Sequence, residues 1–156
     1  MQQGEQAALA YALRLLGRRE YCEADIRRKL MLRECAPEVI DTVIERLKAE
    51  NYLSDARYAE GYLRGRLKKG EVPWLAARRA KERGVDASAL AGALDDAKAG
   101  FDALASCREL LARRDPQRLR HTDEKQWQKL ARFLRNKGFD AATILRVMNE
   151  KVEDPR

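Results

Sequence analysis

Three cations, Arg57, Arg64 and Lys68, follow one another at spacings of seven and four residues. At about 100° per residue those spacings place all three within about 40° of one line along a helix. Such a line can neutralise phosphates or carboxylates on an extended partner. Gly61 and Gly65 lie beside it, small enough for a partner to come close, although each weakens its helix by about 1 kcal/mol. Tyr58 and Tyr62 mark the other face. A second polar line, Gln128, Arg132 and Arg135, stands opposite Trp127, Leu130 and Leu134 on another predicted helix. Arg78, Arg79, Lys81 and Arg83 wrap a third, where Ala76, Ala77 and Ala80 leave only a small apolar arc. A single stripe reads first as solvated surface, and it is two blocks on equivalent helices of different repeats that favour a shared groove. Trp74 and Trp127 have faces that can stack on bases, but core packing is the reading favoured for both, and Tyr11, Tyr58 and Tyr62 read as packers with a wet hydroxyl.

Chemistry of other kinds is thin. His121 is the one histidine, with Asp123 two residues on and no nucleophile to serve. The adjacent pair Asp95-Asp96 points to different helix faces, a weak cation signal. No phosphate-binding glycine loop, zinc-protease motif or nucleophile elbow occurs. Cys22, Cys35 and Cys107 lack metal-ligand spacing and read as reduced, small hydrophobes. No catalytic residue, cofactor or metal is therefore expected. No apolar run is long enough to span a bilayer, and nothing basic precedes the first apolar run, so a membrane partner and a signal peptide are not expected either. The cytoplasm is the expected location.

The elements that must position these residues are helices. Of 156 residues, 45% are hydrophobic and 24 are alanine, against 13 Val, Ile and Thr together, a balance that favours helix over strand. The net charge of +7 is uneven: residues 57–83 and 113–137 each carry nine basic and three acidic groups, and the intervening stretches are neutral or acidic. Apolar spacing predicts helices over 5–18 and 23–33, the second burying Ile26, Leu30 and Met31. Pro37 opens a third with Val39, Ile40, Val43, Ile44 and Leu47 on one face; Ser54 caps a fourth over 55–69, and Pro73 opens a fifth to 83. Asp86 or Ser88 starts the sixth, and the rest cover 101–113, 124–137 and the stretch after Asp140, with a loop over 115–121. Aligning Glu34 with Gly84 and Gly138 superposes Ile40, Leu90 and Ile144, then Val43, Ala93 and Val147, at offsets of 50 and 54 residues. That register describes three stacked units of three helices, with boundaries expected at 1–53, 54–99 and 100–156.

Residues 52–66 read Tyr-Leu-Ser-Asp-Ala-Arg-Tyr-Ala-Glu-Gly-Tyr-Leu-Arg-Gly-Arg, and residues 125–139 run from Lys-Gln-Trp to Lys-Gly-Phe. With residues 12–20 and the turn at 45–48, these segments resemble the RecX regulatory proteins of bacteria over about residues 8–149. The resemblance implies an all-α fold of three tandem three-helix repeats in an elongated, curved body. It also implies binding to the RecA filament on single-stranded DNA, inhibition of RecA recombination, ATPase and co-protease activities, and secondary, weak binding of free DNA. Arg57 and Arg66 fall in the signature, and Lys69, Arg132, Phe133, Gly138 and Phe139 in the remaining pattern. Glu34-Cys35 departs from the Gly-aromatic stop usual in the first repeat. The expected filament-binding faces comprise Arg57, Arg64, Arg66, Lys68, Lys69, Arg78, Arg79, Lys81, Gln128, Arg132, Arg135 and Lys137, on a monomer that is not an enzyme. A stand-alone helical DNA-binding protein or repressor, and a scaffold whose charges merely solvate it, are the rivals. The repressor lacks a helix rich in base-reading side chains.

Overall fold

The computed structural model describes residues 2–151, which form nine α-helices, a short 3-10 turn and no strand. The helices are α1 (Gln2–Leu16), α2 (Glu23–Leu32), α3 (Pro37–Ala49), α4 (Asp55–Lys68), α5 (Pro73–Glu82), α6 (Ala87–Ala99), α7 (Ala103–Arg114), α8 (Glu124–Asn136) and α9 (Ala141–Met148). The 3-10 turn, Leu119–His121, lies before α8. Local chemistry sets the boundaries. Ser54, Asp86, Asp102, Asp123 and Asp140 each accept a first-turn N–H of the helix that follows, and Pro37 and Pro73 stand at helix starts where no N–H is required. Helix seven begins two residues later than the spacing suggests because Asp102 caps it.

Packing runs in threes: α1, α2 and α3; α4, α5 and α6; α7, α8 and α9. Each triplet buries a core of its own, built around Ile26, Leu30, Ile44 and Leu47, around Tyr58, Leu63, Ala76 and Ala80, and around Leu111, Leu130, Leu134 and Met148. The alanines of α5 let α4 and α6 sit close, as their narrow arc predicts. Two large side chains depart from expectation. Met31 is 65% exposed and Trp74 is 52% exposed, because each lies on the outer side of its helix, away from the buried Leu30 or from Ala76, Ala77 and Ala80.

The turns between second and third helices are built alike. Glu34, Gly84 and Gly138 have φ of 60°, 93° and 97°. At each, the next residue's N–H reaches five residues back: Cys35 to Leu30 O, Val85 to Ala80 O, Phe139 to Leu134 O. This left-handed closure satisfies carbonyls that the helix end leaves free. Glycine is needed where another triplet presses on the turn. A Cβ on Gly84 would lie 2.8 Å from Ala24 Cβ, and one on Gly138 would overlap Val72 Cγ2 and crowd Leu75. Glu34 is exposed, so its side chain has room and it bears the backbone cost of a positive φ.

These contacts are the joints. Val72, the N-cap of α5, donates its N–H to Lys137 O at the end of α8, 3.0 Å away, and buries its side chain in the third core. Cys22, the N-cap of α2, places its thiol 3.8 Å from Arg83 O at the end of α5 and buries in the second core. The second helices therefore meet end to end, α8 onto α5 and α5 onto α2. Asp55 ties the first joint further, accepting the N–H groups of Glu23 and Asp86 at 2.8 Å each. Below the third core, Asp115 and Arg120 form a buried pair at 3.0 Å, and Arg120 also reaches Met148 O. Burial alone would raise the Asp115 carboxyl, but the Arg120 side chain and the Leu119 and Arg120 N–H groups outweigh it and hold the carboxyl below its usual range.

Two outcomes follow from this packing. Gly138→Ala should lower the thermal midpoint clearly, whereas Gly61→Ala, on an open helix surface with nothing within 4 Å, should hold or raise it; circular dichroism melts compare them. Asp115→Asn leaves Arg120 buried without its counter-charge and should cost about 3 kcal/mol near neutral pH. Because the folded carboxyl titrates below its ordinary value, the wild-type advantage is complete above about pH 4 and fades as acid protonates Asp115. Melts of both proteins across that range should converge toward acid.

Candidate partner interface

The twelve side chains expected to face a partner divide by what they touch. Arg57 serves its own fold: its guanidinium pairs with Glu20 at 2.6 Å and donates to Asn51 O and Tyr52 O, both at 3.1 Å, closing the turn after α3. It is only half exposed, less than its place in the stripe suggests. Arg66 grips the buried Glu71 carboxylate with two bonds, 2.9 and 2.7 Å, and Arg79 stands 3.1 Å from the same group. These two hold the turn from α4 to α5. Arg64 and Arg78 make exposed one-turn pairs with Glu60 and Glu82, a contact that water weakens and a ligand can replace. Lys68, Lys69, Lys81, Arg132, Arg135 and Lys137 have no carboxylate within 4.0 Å among the described residues. Gln128 is exposed beside Arg132.

Tertiary structure gathers part of this set. The end of α4 and the end of α7 converge on α8, and Lys68, Lys69, Arg113, Arg114, Leu110 and Phe133 line an open groove of about 260 Å³. Its edges rest on the second and third triplets together. Gly70, at φ 93°, lets Leu110 pack at this seam, where a Cβ would come within 2.9 Å of the leucine methyls. The Arg114 guanidinium lies over the Phe133 ring, 4.6 Å from its centroid, and Lys137 approaches the same ring at 5.6 Å. The half-buried ring orients these cations without neutralising them. The groove is thus an electropositive site with an apolar floor, suited to a phosphate chain or an acidic protein segment.

Arg113 and Arg114 were absent from the stripes read along single helices. Their signal was the paired cations opening the second basic block, but only α4 packed near α7 assigns them a role. Thiol chemistry is not part of this surface: burial pushes the Cys22 and Cys107 thiols up to about 11. No cluster of metal-ligating side chains occurs among the described residues, and no helix there is long and apolar enough to cross a membrane.

Basic surfaces carried on nine helices in three like units, among the described residues, define an all-helical tandem-repeat protein. The family models for the first and third three-helix domains of RecX match residues 8–47 and 102–148. A regulatory protein RecX of Actinobacillus pleuropneumoniae is 35% identical over 132 residues, covering 85% of this chain and 84% of the relative. The RecX of Trichlorobacter lovleyi is 34% identical, covering 90% and 92%. The chain belongs to the RecX regulatory protein family. A crystal structure of RecX from Lactobacillus salivarius shares the fold, with a TM-score of 0.74 at 19% identity over 95% of this chain and 96% of that one.

The division of the arginines is open to a direct check. Arg57→Ala should lower the thermal midpoint, because three bonds closing the α3 turn are lost, while Arg132→Glu on the open face of α8 should leave it nearly unchanged. Paired denaturation curves with matched helicity test the distinction.

Proposed function

We propose that this protein binds the RecA filament on single-stranded DNA and restrains RecA recombinase, ATPase and co-protease activities, and so regulates DNA repair and the SOS response. The observation that carries this reading is the groove between the second and third triplets, where Lys68, Lys69 and Arg114 have no carboxylate partner among the described residues of a RecX-family chain. Folding has set other arginines to internal work, so cations left unneutralised in a shaped groove are available to an anionic partner. Acidic filament surface and DNA phosphates both present that charge, and binding through them weakens as salt rises. A body of tandem units can touch successive filament protomers, which adds avidity to contacts that are weak singly. On this reading the chain acts as a cytoplasmic monomer, with units at 1–53, 54–99 and 100–156, and free DNA is a secondary ligand.

Titration onto RecA–DNA filaments and onto the same DNA without RecA tests the proposal. Binding should be far tighter to the filament, and RecA ATPase and strand exchange should fall as sites fill. Lys69→Glu with Arg114→Glu should weaken filament binding at least tenfold with little change in helicity. Equal affinity for filament and bare DNA, with RecA activities untouched, overturns it; preference for one duplex sequence would indicate a repressor instead.

A further inference from the structure

We propose that Trp74 is a stacking platform for an unpaired base, set midway along a basic track that crosses from α8 onto α5. The repeat register places it. At an offset of 54, Trp74, Arg78 and Lys81 fall on Gln128, Arg132 and Arg135, and all six are exposed. In both helices the three positions follow at i, i+4 and i+7, so each set forms one stripe about 10 Å long. The inward positions correspond as well: Ala76 and Ala80 of α5 match Leu130 and Leu134 of α8, all four buried. Trp127, the other tryptophan, matches Pro73 and is half-buried in the third core. The two indoles thus occupy adjacent register positions, about 100° apart on equivalent helices, one packing and one open to solvent.

The joint brings together the helix ends that carry the two stripes. Lys137 O at the end of α8 accepts the Val72 N–H at the start of α5, and Trp74 lies two residues beyond that bond. Arg132 and Arg135 lead up to the joint, and Arg78 and Lys81 lead away from it. Among the described residues only Arg78 of these cations has a carboxylate within 4.0 Å, Glu82 at 3.4 Å, an exposed one-turn pair. Asp140, just past the joint, accepts the Thr143 N–H as the cap of α9. No ring stacking or cation contact to the Trp74 indole occurs among the described residues.

An exposed indole flanked along one line by cations suits a chain that offers ring faces and negative charges in alternation. Single-stranded nucleic acid offers what this arrangement matches: an aromatic face for the indole and phosphates on either side for the arginines. Duplex DNA keeps its base faces stacked and cannot use the ring. The inference deepens the filament reading by assigning the DNA strand to this track, and it is a site separate from the Phe133 groove.

Fluorescence anisotropy with labelled oligo(dT) and an all-abasic strand of equal length separates stacking from charge. The native chain should bind oligo(dT) about tenfold more tightly than the abasic strand, stacking being worth that much per base. Trp74→Ala should abolish the difference while leaving affinity for the abasic strand unchanged, and Trp74→Phe should keep most of it. In a Trp127→Phe background, oligo(dT) should also quench the remaining indole emission. If that variant misfolds, the anisotropy comparison stands without it, since Trp74 is exposed and its replacement should not disturb the core. Equal affinity for the two strands, no binding of oligo(dT), or an undiminished preference in Trp74→Ala overturns the assignment. Loss of RecA inhibition is scored separately: base preference with no effect on RecA would sink the filament reading and leave this one intact.

Discussion

The architecture depends on one constraint, the close approach of a helix start to the left-handed turn of the next triplet. Val72 at the end of α8 and Cys22 at the end of α5 are the same joint made twice, each inserting an N-cap residue into a neighbour's core. Gly84 and Gly138 serve the joint in two ways, since their positive φ closes the second helix and their missing Cβ leaves room for the incoming chain. A triplet of about fifty residues buries little surface alone, and sharing Cys22 and Val72 across units is how the cores are completed. The exposed Glu34 marks what the turn tolerates when no triplet presses on it.

The same stacking sorts the cations. Where two elements close a turn, as at Arg57 with Glu20 or Arg66 and Arg79 with Glu71, the guanidinium is paired within the fold and only partly open to solvent. Where helix ends from different triplets bring unpaired cations together, as at Lys68, Lys69 and Arg114, charge accumulates. Two blocks of equal composition, each nine basic against three acidic, thus contribute unequally to the surface. Net charge describes attraction at a distance; the pairing of individual groups decides what is left for a partner at contact.

Much of this was legible in the residues. Proline and Asp or Ser starts, glycine stops and apolar spacing located the helices to within about three residues, and the offsets of 50 and 54 aligned the turns that prove equivalent in hydrogen bonding. Trp74 was misread because its size suggests a core, yet the 54-residue register already paired it with the polar Gln128. Arg57 has more partners than its helix position suggests. Its angle on α4 is outward, but the acceptors it meets, Glu20, Asn51 O and Tyr52 O, come from other elements that no single-helix projection contains.

What the sequence determined by itself was therefore everything carried by neighbours along the chain: helix existence, caps, the repeat of three and the family resemblance. Tertiary structure alone decided which arginines remain unpaired, that Arg113 and Arg114 join Lys68 and Lys69, and that α8 runs onto α5. The reason is physical. Capping and periodicity involve groups within a few residues, whereas an ion pair or a groove depends on distances between segments far apart in sequence, which are set only when the triplets stack.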